Sequence, residues 1–301
     1  MASSKNKNRI SNSFGDKVFL CVDTILMALL FIIILYPLLY VVFASVTSNS
    51  QAIPLTLIPK KFTLTSYQAV FEYKDIWIGY KNSLIYMVVG TTISMIVTIC
   101  AAYPMSVKEW MGNKIMVPMC LITMYISGGL IPTYLCVSKL HMVNSIWAVV
   151  IPGALSVHNL LVMRTFFSSQ IPNEIRESAS LDGCGNIRYL ISIVLPLSGA
   201  VLAVIGLYYA VGSWNSYFGP MIYLKKRGLY PLTLITREIL VQNQDKVDVG
   251  VIDSTGAMDL EARKNLMKYA LIVVSCLPML IIYPFVQKYF VKGVMIGAVK
   301  G

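Results

Sequence analysis

The sequence predicts an all-α, polytopic membrane protein with six transmembrane helices, and three observations predict it. The 301 residues are 56% hydrophobic and only 13% charged, against about a quarter charged in soluble domains, and the mean hydropathy is +0.68. Uncharged runs near or above the roughly 20 residues that cross a bilayer recur along the chain. The Lys and Arg behind the formal net charge of +11 lie mainly between those runs rather than on one continuous surface. Membrane flanks therefore account for them, and nucleic acid does not. A secreted or disordered chain is excluded.

The first span covers residues 18–46, with Asp23 near its inner end, and Pro54 and Pro59 mark an exposed connection after it. Lys5, Lys7, Arg9 and Lys17 precede it. The apolar run is too long for a signal-peptide core and no small-residue cleavage site closes it, so the helix is expected to stay. Residues 82–107 form the second span, 115–138 the third, 140–163 the fourth and 269–287 the sixth. The fifth run, 189–224, has 36 uncharged residues. As one helix it would be about 54 Å long against a hydrocarbon core of about 30 Å, so it must break. The stretch from Gly212 to Pro220 is the natural place. Pro196 bends the start of this span or occupies its first turn.

Between the fourth and fifth spans, residues 168–188 read SSQIPNEIRESASLDGCGNIR, too polar for lipid. Pro172 suits a first helical turn, Glu174 favours the positive N-terminal end, and Gly183 supplies a left-handed residue that stops the helix. Ile175 and Ala179 share one face, and such a helix can dock in a partner's groove.

The pattern continues: Glu177, Ser178 and Ala179, then Asp182 and Gly183, then nine residues, then Ile193, Val194, Leu195 and Pro196. It resembles the EAA loop of ATP-binding-cassette (ABC) importer permeases. The six spans and the ending FVKGVMIGAVKG are similar to the MalG-like carbohydrate family, and MRTFF at 163–167, Trp214 with Asn215, and NSL at 82–84 resemble its LplC/YtcP-like branch. Ser178 and Cys184 replace alanines common in that family.

The resemblance implies a cytoplasmic tail (1–17), a transmembrane permease domain (18–290) with coupling loop 168–188, and a cytoplasmic C-terminal tail (291–301). Glu177, Ser178, Ala179, Asp182 and Gly183 would couple to an ATPase. It further implies a second, MalF-like permease, two copies of an ABC ATPase, an extracellular solute-binding protein, a carbohydrate substrate and surrounding membrane lipid as partners, in a bacterial cell membrane. ATP and Mg would be bound by the partner ATPases and no cofactor by this chain, which has no Gly-rich phosphate loop ending in Gly-Lys-Ser/Thr. The tail's Gly293, Gly297 and Gly301 resemble a segment that reaches the ATPase interface.

Other residues carry two readings each. Arg164 either pairs with Glu177 to brace the coupling loop or snorkels to the interface. His158 and Asn159 line a pathway or hydrogen-bond between helices. Trp214, Asn215 and Tyr217 offer ring faces and polar groups to a sugar or form an interfacial belt, and Asn82 joins this pathway set. Gly199, Ala203, Gly206 and Ala210 fall on one face as a packing seam. Lys225, Lys226 and Arg227 touch a binding protein or lipid headgroups. His141 and His158 have no metal or nucleophile spacing, and the widely spaced Cys21, Cys100, Cys120, Cys136, Cys184 and Cys276 read as packing residues. The rival to an ABC permease is an ion-coupled secondary transporter, which would need intramembrane acids or broken helices. Asp23 is the only carboxylate clearly inside a span. A membrane enzyme lacks a catalytic set.

The four basic residues before the first span, an even span count and the polar loop together place both termini in the cytoplasm. In sealed cells, Asn6→Cys should be protected from an impermeant thiol reagent; labelling from outside would contradict this topology.

Overall fold

The computed structural model describes residues 13–47, 62–107, 109–245, 267–284 and 287. The tail glycines Gly293, Gly297 and Gly301, the basic residues Lys5, Lys7 and Arg9, and most of the polar stretch after residue 245 lie outside the described residues. Within them the chain is helical, apart from an isolated bridge between Thr47 and Phe62.

Helix α1 (Phe14–Ser45) runs unbroken for 32 residues. The Ser13 N–H donates to the Asp16 carboxylate at 2.9 Å, fixing its first turn. Its apolar side chains are exposed along nearly its whole length. Among the described residues its end is tied down by Ser45 Oγ to the Tyr67 hydroxyl at 2.8 Å and by an edge contact of Tyr40 with Tyr269. Helix α2 (Thr65–Glu72) leads into α3 (Lys74–Ser106), whose 33 residues span about 50 Å.

Helix α3 is the axis of the fold. Its buried positions, among them Gly79, Ser83, Gly90, Ser94, Thr98 and Ala102, recur every three or four residues and so form one stripe of small side chains. That stripe lets other backbones approach closely. At Gly79 an added Cβ would lie 3.0 Å from the Leu232 Cα and 2.6 Å from the Ile235 side chain. Sequence reading placed the small-residue seam elsewhere, on the fifth span. There Gly206 touches Met95, but Gly199 is exposed with nothing nearby, and Val201, Ile205 and Tyr209 form the buried face instead.

Three of the expected spans are divided, two of which were expected to be continuous. The third is α4 (Asn113–Tyr125) and α5 (Leu130–Lys139), bent by 114°. Gly129 adopts φ 84° at the break, a conformation costly for residues with a Cβ. The fourth is α6 (Ile146–Val150) and α7 (Val157–Gln170), with Pro152 and Gly153 between them. After α8 (Asn173–Leu181), the fifth is α9 (Asn186–Leu197) and α10 (Gly199–Trp214), bent by 85° at Ser198. Helix α9 contains a π-helical turn, Leu190–Val194, just ahead of Pro196, which has no N–H to continue the ladder. The expected interruption after Gly212 also occurs: α10 ends at Trp214 and α11 (Phe218–Tyr223) begins four residues later.

Helix α12 (Leu232–Asp245) packs on α3, and α13 (Met267–Pro284) closes the described chain. By themselves α1, α3 and α13 are long and apolar enough to cross a bilayer; counting each bent pair as one crossing makes five among the described residues.

The turn before α12 is clasped to α3. The Asn82 carboxamide donates to the carbonyls of Gly228 (2.8 Å) and Tyr230 (3.1 Å), the Tyr86 hydroxyl to that of Leu229 (2.7 Å), and Ser83 Oγ accepts from the Leu232 N–H (2.9 Å). Arg227 pairs with Asp75 at 2.7 Å. Burial pulls the Arg227 guanidinium down, but the Asp75 hydrogen bond and the charges of Asp75, Tyr73 and Glu238 outweigh it and hold its pKa above the ordinary value. Arg227 is therefore engaged within the chain, whereas Lys225 and Lys226 are exposed.

Gly79→Val should break the α3–α12 contact, because the new side chain meets Leu232 backbone rather than a yielding side-chain tip. Overpacking of this kind costs about 1–3 kcal/mol, and a lowered Tm of the purified protein in detergent checks it.

Candidate transport pathway and docking helix

Helix α8 is short because both its ends are specified locally. Pro172 stands at the N-cap, one position earlier than expected, in extended backbone, and Glu174 occupies the first turn. At the other end Gly183 adopts φ 73°. Its N–H donates to the Ser180 carbonyl at 3.1 Å, and the Cys184 N–H donates to that of Ala179 at 2.9 Å. These two bonds are the pairing of a Schellman stop. Ser178 Oγ turns back onto the Glu174 carbonyl at 2.9 Å.

Ala179 packs inward, while Glu177, Ser178, Asp182 and Gly183 are exposed. Glu177 has no ion-pair partner among the described residues. Leu181 is 90% exposed and Ile187 76%, so this polar loop holds two large apolar side chains away from any core. Glu174, Ile175, Ser178, Ala179, Asp182 and Ile193 border an open groove of about 390 Å³.

Arg164 does not pair with Glu177. Its Nε donates to the Met105 carbonyl at 2.8 Å, at the C-terminal end of α3. A cation is favoured there because the last carbonyls of a helix carry partial negative charge. Helix α8 instead reaches the segment after α3 through Arg176 and Glu109, 3.3 Å apart. Pro196, at the far end of the expected motif, sits just before the bend at Ser198.

The second feature is a cavity of about 310 Å³ between α3, α6, α7 and α10. Helix α3 contributes Tyr86, Gly90 and Ser94, the start of α7 contributes Ser156 and Asn159, and α10 contributes Tyr208, Tyr209, Gly212 and Ser213, with Ser216 beyond it. No lining side chain is charged. The Tyr209 hydroxyl joins three elements: it lies 2.7 Å from Thr98 Oγ on α3 and accepts the Ser156 N–H at 3.2 Å, at the N-cap of α7. Packed Met105, Leu160, Met163 and Ile205 belong with Tyr209 to one apolar cluster on the side toward α8. Hydroxyls, one carboxamide and aromatic faces suit a polyhydroxylated solute, which needs many neutral hydrogen-bond partners and flat apolar contact.

Of the expected pathway residues, only Asn159 lines this cavity. His158 is exposed outside it. Asn82 is consumed by the turn it clasps. Trp214 is buried with its Nε1–H on the Ser275 carbonyl at 3.1 Å and its ring against Tyr80. Asn215 caps α10, and Tyr217 lies under the Arg237 guanidinium at 5.8 Å. The residues sequence reading missed are mainly Ser, Gly and Tyr. Their signal was available in Gly90 and Ser94, four apart on α3, and in Tyr208, Tyr209, Gly212 and Ser213 on one turn-and-a-half of α10. No grouping of His, Cys, Asp and Glu among the described residues could hold a metal ion.

A helical membrane protein with a charge-free polar cavity between its long helices and a capped, solvent-facing helix at one end is built as the membrane subunit of a transporter. No protein-family model matches the chain. It is 34% identical over 271 residues to Protein LplC of Bacillus subtilis (strain 168), covering 89% of this chain and 90% of that one. It is also 34% identical to the polygalacturonan/rhamnogalacturonan transport system permease protein YtcP of the same organism, covering 90% and 94%. The crystal structure of a bacterial ABC transporter involved in import of the acidic polysaccharide alginate aligns with a TM-score of 0.82 at 28% identity, over 92% of this chain and 98% of that one. The chain belongs to the family of ABC sugar-transport permeases, subunits that are not themselves enzymes because the ATPase is a separate subunit.

Tyr209→Phe removes the hydroxyl that joins Thr98 to the Ser156 N–H and leaves both without their shared partner. A loss of about 1–3 kcal/mol is expected for buried groups left unsatisfied, read as a lower Tm of the purified chain relative to Tyr208→Phe.

Proposed function

We propose that this chain is one of two different permease subunits of an ATP-driven importer that moves an oligosaccharide into a bacterial cell. A MalF-like partner completes the membrane pathway, two ATPase copies bind ATP and Mg on the cytoplasmic side, and an extracellular binding protein delivers the sugar. The chain crosses the membrane six times, with α1, α3, the α4–α5 pair, α6 with α7, the α9–α10 pair and α13 as the crossings, and both termini are cytoplasmic. Helix α8 is then the cytoplasmic coupling helix. A saccharide built of several sugar units is supported by the similarity to the polygalacturonan/rhamnogalacturonan permease YtcP and to the alginate importer.

The observation that carries this reading is the stopped, amphipathic α8, with Glu177 and Leu181 facing solvent beside an open groove. ATPase closure would push on this helix, and the hydroxyl-lined cavity would then change its access. The cavity supplies hydrogen bonds to sugar hydroxyls at this chain's side of the pathway.

Gly183→Val tests the assignment. No atom lies within 4 Å of the Cβ it would add, so the substitution acts through backbone strain at φ 73° and not through a clash. That strain is about 1–2 kcal/mol, more for a β-branched residue. The permeases should insert and pair, but ATPase recruitment or the coupling of hydrolysis to sugar uptake should fail, with Glu177→Ala weakening docking more mildly. Reconstitution with the partner permease, ATPases and binding protein measures both quantities; normal recruitment and normal stimulation in Gly183→Val would defeat the reading.

A further inference from the structure

We propose that Arg164 is a positioning residue that carries displacement of α8 to the sugar cavity through the C-terminal end of α3. This rests on α8 being the ATPase dock. Only residues 171 and 172 separate α7 from α8, and Ile171 is buried, so the two helices cannot move far apart independently.

The end of α3 accounts for most of its carbonyls locally. Ser106 Oγ donates to the Tyr103 carbonyl at 2.7 Å and the Val107 N–H to that of Pro104 at 3.2 Å. The Met105 carbonyl is taken by a donor from another helix, Arg164 Nε. A snorkelling arginine would extend to headgroups; this one is half-buried with its Nε turned inward. Ala102, Met105, Leu160, Met163 and Phe167 pack tightly around the tie, so there is little slack to absorb a displacement.

A second bond lies deeper in the bundle. Thr98 meets Tyr209, whose hydroxyl also takes the Ser156 N–H. Helices α3 and α7 are thus held together both at the end near α8 and beside the cavity. Ser94 lies eleven residues from Met105 on the same unbroken helix, roughly 16 Å along its axis. A pull at Met105 therefore moves the cavity wall as part of one body. Arg176 with Glu109 adds an outer tie, but Glu109 is 75% exposed and that pair is weak.

The test uses the complete transporter in proteoliposomes, with Arg164→Met and Arg164→Lys. Arg164→Met should retain ATPase recruitment and hydrolysis while sugar transported per ATP falls about tenfold, within the range of coupling carried by one network residue. Lysine, which keeps the charge and a donor, should restore most of that ratio. An unchanged ratio with less assembled complex would make Arg164 merely structural and overturn the proposal. Should Arg164→Met fail to assemble, a second measurement decides. Cysteines at Glu109 and Arg176, in a background without the native cysteines, are bridged by a short bifunctional thiol reagent. Transport should survive the bridge if α8 and the end of α3 move together; its abolition with ATPases still bound would overturn the proposal. Failure of the α8 reading appears separately, as normal ATPase recruitment together with normal stimulation in Gly183→Val.

Discussion

The close approach of other helices to the small-residue stripe of α3 is the constraint on which the rest depends. A 33-residue helix with Leu or Phe along that face would hold its neighbours at the usual interaxial distance. With Gly79, Ser83, Gly90 and Ser94 there, the turn before α12 reaches α3 at one level and Ser213 lies beside Gly90 at another. In lipid no hydrophobic gain rewards pairing of two apolar helices, so contact and interhelical hydrogen bonds must do it. The same small side chains leave the space that becomes the cavity. Packing and cavity are consequences of one choice of residue type.

Helix α8 was legible in the sequence because its limits depend on local chemistry. Pro172 cannot accept a preceding helical turn easily, Gly183 takes the left-handed conformation, and Glu174 favours the first turn; each acts within a few residues of itself. The spans were legible only as apolar runs. A run counts how much chain prefers lipid and says nothing about direction, so the bend at Gly129 passed unseen, and the one at Ser198 was legible only as one of two readings of Pro196. At Ser198 the chain combines a proline, a widened turn and a glycine, a combination whose outcome depends on which neighbours satisfy the released backbone groups.

The lining of the cavity was missed for a related reason. Trp214 and Asn82 have the chemistry of sugar contacts, but each has found a structural partner, a carbonyl of α13 in one case and the turn before α12 in the other. Large polar-aromatic residues draw attention in a sequence because they can bind many things. A cavity in a bundle is marked instead by what is small, since a large side chain pointing inward would fill it. Serine and glycine at Ser94, Ser213 and Gly90 are therefore stronger indicators of open space than Trp214 is of a ligand.

The exposed apolar surface of α1 sets the level at which this chain becomes complete. None of its most hydrophobic window is buried within the chain, and α4 has no buried residue at all. In water such surface would be untenable, and in a bilayer lipid covers it without cost. Lipid cannot, however, supply the second wall of a polar cavity, because hydroxyls such as Ser213 and Tyr208 facing acyl chains would lack partners. The half-open cavity therefore demands protein or water opposite α10, while α1 demands nothing beyond an apolar surrounding. The demand for a polar complement is thus strongest where the wall is polar, and it follows from hydrogen bonding rather than from the larger hydrophobic area exposed elsewhere.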